Sequence, residues 1–268
     1  YGTGLLVRDG LDRGCRHFIL TLGGSATVDG GTGILEALGI RLLDKEDQPV
    51  PRGGGNLMIL DHFDLSGIDP RARNARFTIL YDVDNPLTGP EGAAVVFSPQ
   101  KGAGQLQAAV LERCLARYSW VLEEETGKAW GDMPGGGAAG GVAVGLKAFF
   151  DTTLVSGPDY LLDTLNANEK IAEADLVITA EGSLDAQTFR GKGPASLARR
   201  CRRLNTPILC LAGNVPLRSG DPDSLFNAVF ALQNRPMDLE SSLSETLILL
   251  ENRAYEIGKL IACSLPRK

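Results

Sequence analysis

A glycine-rich segment, residues 23–31, has the residue types that most clearly suit binding chemistry. It reads Gly-Gly-Ser-Ala-Thr-Val-Asp-Gly-Gly and directly follows the apolar residues 18–22. Because glycine has no Cβ, a ligand can approach the backbone N–H groups of such a loop closely. The next residues are typical of a helix, whose N-terminus favours phosphate or carboxylate. The segment matches neither G-x-G-x-x-G nor the P-loop pattern, so it predicts an anion-binding loop of another kind; a tight turn that caps the next helix is the alternative.

Two carboxylates, Asp82 and Asp84, stand at the end of the apolar residues 77–82. We expect those residues to form a strand, and in parallel α/β sheets the carboxyl ends of the strands face the ligand. Alternation along the strand would place both carboxylates on one side, where two oxygen ligands suit Mg²⁺. Asn85 and Pro86, which follow, are also typical of an ordinary turn, so a structural role for both acids is the alternative.

A third segment, residues 97–102, ends in Lys101 and Gly102. A lysine at that position could neutralise a phosphate group or a substrate carboxylate. A surface lysine that precedes a helix is the commoner explanation.

A fourth segment carries three charged residues close together. The apolar residues 177–180 lead directly into Glu181, and Asp185 and Lys192 follow before the next expected helix. A carboxylate that holds a metal ion or accepts a proton, together with a lysine that offsets phosphate charge, is the combination that phosphoryl transfer needs. Apart from the glycine-rich segments, this is the strongest chemical signal in the sequence.

A second glycine cluster, residues 135–141, precedes the apolar residues 142–150. Glycine-rich stretches of this kind can be flexible linkers. Because the cluster lacks serine and leads into an apolar helix, close backbone approach to a ligand or to a neighbouring helix is at least as well supported.

The elements that must position these residues alternate along the chain. We expect strands over residues 17–22, 40–44, 77–82, 175–180, 207–212 and 226–232. We expect helices over residues 4–13, 30–38, 104–125, 142–150, 156–165 and 194–204, and a C-terminal helix opened by a capping box of Ser242 and Glu245. Strands separated by helices predict an α/β fold, with a parallel sheet covered on both faces in the second part of the chain. We place a domain boundary near residue 155.

Composition and charge exclude several classes of protein. The chain has 268 residues, of which 43% are hydrophobic and 22% charged, and its net charge is -6. The negative balance argues against nucleic acid as a partner, and the arginines within residues 199–203 are expected to form a solvated helix face. Five scattered cysteines without a C-x-x-C pair predict reduced thiols in a cytoplasmic protein rather than a zinc site or disulfides. No apolar run approaches ~18 residues, so we expect no membrane span.

Taken together, these segments resemble the bacterial glycerate kinase family. The matching residues are 23–31, 82–87, 99–102, 135–141 and 181–188, in an order and spacing that cover nearly the whole chain. The resemblance implies ATP-dependent phosphorylation of D-glycerate to a phosphoglycerate, with 2-phosphoglycerate as the favoured product. It also implies two α/β domains: a Rossmann- or flavodoxin-like parallel sheet in residues 156–268, and a glycine-rich, inserted domain in residues 1–155.

The resulting hypothesis is a kinase that uses ATP and Mg²⁺, with glycerate and the nucleotide as its small-molecule partners. The catalytic residues would be Asp82, Asp185 and Lys192, and the two carboxylates would also hold the metal ion. The groups that bind substrate or phosphate would be Gly23, Gly24, Ser25, Ala26, Thr27, Asn85, Lys101, Gly135, Gly136, Gly137 and Glu181. Phosphoryl transfer requires mainly positioning and charge stabilisation, so such a dispersed set is chemically sufficient. A homo-oligomer is compatible with this hypothesis.

Two features differ from the family pattern. The family begins with a further segment that carries an Asp-Ser-Phe-Lys motif, whereas this sequence opens at Tyr1, inside an expected helix. The family motif Thr-Gly-Glu-Gly-Arg is here Thr-Ala-Glu-Gly-Ser at residues 179–183, which removes a positive charge near the expected phosphate site. Two alternatives therefore stand beside the kinase: a ligand-binding fragment of the family without catalysis, and a Mg²⁺-dependent phosphohydrolase.

Overall fold

The chain folds into two compact units, Tyr1–Gly157 and Pro158–Lys268. A computed structural model describes residues 1–184, 193–215 and 225–264. Both units combine helices with a parallel sheet, so the predicted α/β fold class is confirmed. Within the described ranges, every helix is too short or too polar to cross a lipid bilayer.

Short strands and helices alternate in the first unit. Its strands are β1 (His17–Thr21), β2 (Arg41–Leu43), β3 (His62–Asp64), β4 (Arg76–Tyr81) and β5 (Asp151–Ser156). Its helices are α1 (Gly2–Asp12), α2 (Thr32–Ala37), α3 (Pro70–Arg73), α4 (Ala93–Phe97), α5 (Gln105–Thr126) and α6 (Val142–Phe149). Segments of 3₁₀-helix lie at Gly54–Ile59, Pro99–Lys101 and Ala138–Gly140.

The main sheet of the first unit has the strand order β1–β4–β5, and all three strands are parallel. Leu20 pairs with Ile79, and Ile79 pairs with Leu154. Phe77 and Ile79 on the central strand β4 are fully buried, as expected for β-branched and aromatic side chains in a covered parallel sheet. Because the strands are parallel, the carboxyl ends of all three lie along one edge of this sheet.

Helix α5 is the longest element of the first unit and supplies one wall of its core. Residues 105–126 contain neither glycine nor proline, and the helix ends at Gly127, whose φ is 68°. Its buried face consists of Cys114, Leu115, Tyr118, Val121 and Leu122, at helical spacing. The first turns of the helix differ from the sequence pattern, because Leu106 and Val110 are exposed.

Several short elements of the first unit are not evident from the sequence. Strand β5 begins with Asp151, Thr152 and Thr153, and these polar residues do not give the apolar pattern that predicts a strand paired with β4. Strand β2 lies within the predicted residues 40–44, but its antiparallel partner β3 was not expected, because a strand of three residues is too short for an alternating pattern. Residues 93–97, a short apolar run for which no helix was predicted, form the helix α4.

The second unit has the same alternation of helices and parallel strands. Its strands are β6 (Val177–Ser183), β7 (Ile208–Asn214) and β8 (Ala228–Ala231). Its helices are α7 (Gly157–Thr164), which begins at the last residue of the first unit, α8 (Ala167–Glu173), α9 (Gly193–Arg203), α10 (Leu239–Ser244) and α11 (Thr246–Ser264). The strands form a parallel sheet in the order β6–β7–β8, which confirms the parallel sheet predicted for this part of the chain.

The C-terminal helix differs from its prediction, because it is two helices with a break at Glu245. The predicted capping residue Ser242 lies inside the first of them. Asp238 is the actual N-cap, since its carboxylate accepts a hydrogen bond of 2.7 Å from the N–H of Ser241. Aspartate and serine are equally good N-cap residues, so the sequence pattern alone could not decide between Asp238 and Ser242.

The sequence predicted that the arginines of α9 form a solvated helix face, but one of them is buried. The side chain of Arg200 is 5% exposed and forms ion pairs with Asp159 and Asp163. These two acids belong to α7, so Arg200 joins α7 to α9. A buried guanidinium is tolerated only when such partners satisfy its charge and its N–H groups.

Candidate active site

The glycine loop, residues 23–31, lies at the carboxyl edge of the sheet of the first unit. Strand β1 ends at Thr21, and the N–H of Leu22 still donates to the carbonyl oxygen of Leu80 on β4 at 3.0 Å. Strand β4 ends one residue later, and Asp82 follows it directly. The parallel pairing of β1 with β4 therefore brings the start of the loop and Asp82 to neighbouring positions on one edge.

The backbone of the glycine loop offers donors that the protein itself does not use. Within the part of the chain that the structure describes, none of the N–H groups of residues 23–29 donates to a protein acceptor. Gly23, Gly24, Ala26 and Thr27 are exposed, so these donors are open to a ligand. Gly24 has a φ of 65°, a conformation that glycine adopts without strain. A run of unengaged amide groups beside a sheet edge is suited to anionic oxygens.

Lys101 lies against this loop although it is far away in the sequence. Its ammonium group donates to the hydroxyl oxygen of Ser25 at 2.9 Å and to the carbonyl oxygen of Thr27 at 2.6 Å. Burial lowers the pKa of Lys101 below its usual value, and the nearby carboxylate of Asp29 opposes that shift. Since an ammonium group has three N–H donors, one remains for a ligand.

A cavity of about 440 Å³ opens beside the loop. Its lining includes residues 20–25, Asp29 and, from the second glycine cluster, Ala139. Ala139 has a φ of 51°, which is a strained conformation for a residue with a Cβ. Strained backbone of this kind concentrates at functional sites, where the surrounding structure holds it in place.

The second glycine cluster packs directly onto the first. The N–H of Gly30 donates to the carbonyl oxygen of Gly140 at 2.8 Å. A Cβ on Gly140 would lie 2.3 Å from the carbonyl oxygen of Thr27, and the φ of Gly140 is 75°. Glycine is therefore required at residue 140 for both conformation and space.

Gly135, Gly136 and Gly137, which were expected to bind substrate or phosphate, have N–H groups that are engaged within the protein. Their N–H groups donate to the carbonyl oxygens of Asp84, Met133 and Asn85, at 3.2, 2.9 and 2.8 Å respectively. These amides are thus engaged within the protein and do not offer free donors for an anion. Two of them, Gly135 and Gly137, hold the segment that follows β4.

Asn85, another residue expected to bind substrate or phosphate, has one side-chain contact within the protein. Its side-chain nitrogen donates to the carbonyl oxygen of Glu91 at 2.7 Å. The contact links residues 85 and 91 in the segment after β4.

Asp82 and Asp84 are both exposed and lie beyond the end of β4. Their carboxylates have no hydrogen-bond or ion-pair partner within the described residues. Because both follow the strand, strand alternation does not determine which way they face. No group of three or more His, Cys, Asp or Glu side chains with the geometry of a metal site occurs in the described ranges. Mg²⁺ bound together with substrate phosphates needs only one or two carboxylates, so Asp82 and Asp84 are sufficient in number for such an ion.

Glu181 belongs to the second unit and lies within strand β6, not on the loop after it. Burial, with a smaller contribution from Glu181, raises the pKa of the neighbouring Cys210 thiol to about 11. Asp185 and Lys192, the other charged residues expected here, lie outside the described residues.

Tyr118 is a residue of the site that the sequence did not reveal. It is fully buried on α5, and its hydroxyl donates to the carbonyl oxygen of Gly30 at 3.1 Å. Its ring also occupies the space beside Gly30, where an added Cβ would lie 2.5 Å from a ring carbon. The only sequence signal for Tyr118 is its helical spacing, which equally fits an ordinary core residue.

Comparison with known proteins gives a consistent result. A sequence model described as the glycerate kinase family matches residues 1–262. The glycerate kinase of Halalkalibacterium halodurans is 41% identical over 262 residues, which are 96% of this chain and 68% of that protein. The glycerate 2-kinase of Escherichia coli K12 is 39% identical over 214 residues, which are 80% of this chain and 56% of that protein. A crystal structure assigned to glycerate kinase 2 of Salmonella typhimurium LT2 superimposes with a TM-score of 0.73 at 37% identity, covering 99% of this chain and 70% of that one.

Proposed function

Because this chain belongs to the glycerate kinase family, we propose that it transfers the γ-phosphoryl group of ATP to D-glycerate. The favoured product is 2-phospho-D-glycerate. One relative, that of Escherichia coli, is named a glycerate 2-kinase, which supports transfer to the 2-hydroxyl.

The observation that carries this proposal is the run of unengaged amide groups at residues 23–29. Lys101 adds a positive charge at the same loop, through its contacts with Ser25 and Thr27. Both substrates of a glycerate kinase are anionic, and both present oxygens that such donors bind. Donors that are fixed before the reaction stabilise charge without reorganisation, which is the main requirement of phosphoryl transfer.

The transfer itself needs a group that accepts one proton. The hydroxyl oxygen of glycerate forms a bond to the γ-phosphorus, the bond from that phosphorus to the bridging oxygen breaks, and ADP leaves with the electron pair. A carboxylate takes the hydroxyl proton. We assign this task to Asp82, which is exposed at the edge where the glycine loop begins. Asp185 and Lys192 remain proposed members of the catalytic set.

Mg²⁺ would neutralise charge on the nucleotide phosphates when bound. Among the described residues, we propose Asp82 and Asp84 as its ligands, since both are exposed and neither carboxylate has a hydrogen-bond or ion-pair partner there. Neither residue has to move away from an ion pair before it can bind a cation.

The test is to incubate the protein with ATP, Mg²⁺ and D-glycerate and to follow ADP and the phosphorylated product by phosphorus NMR. Formation of ADP together with 2-phosphoglycerate is the expected result. Inorganic phosphate without phosphoglycerate would instead indicate a phosphohydrolase. The absence of any turnover, with ATP still bound, would indicate a binding fragment without catalysis.

A further inference from the structure

An apolar groove lies beside the glycine loop and has no part in the chemistry described above. We call it the α5 groove. Its volume is about 480 Å³, and it is lined by Gly55, Lys101, Gly102, Ala103, Leu106, Gln107, Val110 and Leu111. Leu106 and Val110 are 85% and 49% exposed. Because they are four residues apart on α5, they lie on the same face of the helix.

The α5 groove is continuous with the glycine loop through two contacts. Lys101 lines the groove, and its ammonium group donates to Ser25 and Thr27 of the loop. On the other side, a Cβ on Gly54 would lie 1.9 Å from the carbonyl oxygen of Val28 and 3.0 Å from Cδ2 of Leu111. The backbone at Gly54 is therefore in direct contact with both the loop and α5.

We propose that the α5 groove binds the base and ribose of ATP, while the amide groups of residues 23–29 bind its phosphates. This inference rests on the proposed function and assigns the nucleotide to one place in the first unit. A nucleotide has an anionic end and a flat base of low polarity. The unengaged amides and Lys101 match the first, and the side chains of Leu106, Val110 and Leu111 match the second.

The size and charge of the groove agree with this occupant. Ligand sites usually enclose about 300–1,000 Å³ and combine an apolar lining with a few polar groups. Lys101 is the charged residue of the lining, and its sign is opposite to that of the phosphates.

Gln107 adds a polar group that could fix the orientation of a base. Its side-chain oxygen accepts a hydrogen bond of 2.8 Å from the N–H of Gly104. That contact fixes the orientation of the carboxamide and leaves both N–H donors of its NH₂ group for a ligand. The ring nitrogens of a purine can accept hydrogen bonds from such donors.

The test compares the binding of ATP with that of tripolyphosphate, which has the phosphates but neither base nor ribose. Both affinities are measured by calorimetry on the whole chain and on the double variant Leu106→Ala/Val110→Ala. We expect the wild type to bind ATP more tightly than tripolyphosphate. The double variant should lose roughly tenfold in ATP affinity, the order expected for two truncated apolar contacts, and less than twofold in tripolyphosphate affinity.

A matched control is Leu247→Ala, which truncates a leucine that is 72% exposed on α11 of the second unit. It should change neither affinity. All three substitutions alter exposed side chains, so the far-ultraviolet spectra and melting temperatures should stay close to those of the wild type.

The outcomes separate this inference from the proposed function. If the wild type binds ATP and phosphorylates glycerate, but the double variant binds ATP as tightly, the groove assignment is wrong and the kinase stands. If the wild type binds no ATP, both fail. If the double variant changes the oligomeric state in light scattering while its ATP affinity is unchanged, the groove is a contact between copies of the chain and the inference is overturned.

Discussion

Lys101 is held at the glycine loop in a way that makes its charge dependent on pH. Burial lowers its pKa, so the folded chain binds fewer protons than the unfolded chain at pH values just below the usual lysine value of about 10.4. Stability therefore rises with pH across that window, and the protonated form is the less stable one. A partly buried lysine that costs stability when protonated is consistent with a role in binding.

The first prediction follows from that charge. Sulfate keeps a constant charge across the alkaline range, so any change in its affinity reports on the protein. Its affinity should fall as Lys101 loses its proton, at pH values below those at which an ordinary lysine titrates. Lys101→Met should bind sulfate more weakly and show no such fall. Calorimetric titrations at several pH values provide the measurement. A wild-type affinity that is constant up to pH values where ordinary lysines titrate would contradict this role.

The second prediction concerns Asp82. Asp82→Asn keeps the size of the side chain but removes the charge and the proton acceptor, so kcat for glycerate phosphorylation should fall by roughly 100-fold or more. The melting temperature should be unchanged, because the carboxylate has no partner within the described residues.

The control for Asp82 is Asp151→Asn. Asp151 is an exposed carboxylate at the first residue of β5, at the opposite edge of the same sheet. It should leave kcat within a factor of two. Near-normal turnover in Asp82→Asn would remove Asp82 from the catalytic set.

At the scale of residues, the sequence offered candidate side chains but could not predict their contacts. The sequence indicated that Lys101 could supply a positive charge for an anion. It could not predict the two hydrogen bonds of Lys101 to the glycine loop, because these depend on how residues 31–101 fold. Gly135 to Gly137 share their residue type with the first loop, yet their N–H groups are engaged. Whether an amide is free depends on the position of distant carbonyl groups, and no local pattern records that.

At the scale of elements, the meeting of the two glycine segments organises the site. Gly140 contacts Thr27 so closely that an alanine there would combine positive-φ strain with direct overlap. Gly127, at the end of α5, has a similar φ of 68°, but a Cβ there would meet nothing within 4 Å.

The third prediction uses this pair of glycines. Gly127→Ala should lower the free energy of unfolding by about 1 kcal/mol, from backbone strain alone. Gly140→Ala should lower it by about 3 kcal/mol, because overlap adds to the strain, and should also weaken anion binding. Urea unfolding and sulfate titration measure both effects. Equal losses in the two variants would show that the glycine segments are not tightly packed on each other.

The apolar content of each element determines whether the sequence predicts it. Strands β1, β4, β6 and β7 have continuous apolar runs and lie close to their expected bounds. Strand β5 was missed because its first residues are polar. It forms through its parallel pairing with β4, which no local sequence pattern shows. The break at Glu245 was missed because neither glycine nor proline marks it in the sequence.

At the scale of the whole molecule, the fold class and the family follow from the order of the motifs along the chain. The family match extends over residues 1–262, and the Halalkalibacterium halodurans relative aligns with 96% of the chain. The division at Gly157 and Pro158 leaves the glycine loop, Lys101 and Asp82 in one unit. Glu181 lies in the other unit, so its expected part in binding remains a proposal.

The most direct test of the central claim is an amide NMR titration of isotope-labelled protein with Mg²⁺–ATP and then D-glycerate. The account predicts that the N–H signals of residues 23–29 shift strongly, since these donors have no acceptor within the described residues. The signals of Gly135, Gly136 and Gly137 should shift little, because their carbonyl partners already hold them. Saturable shifts confined to other parts of the chain, with residues 23–29 unaffected, would contradict the account.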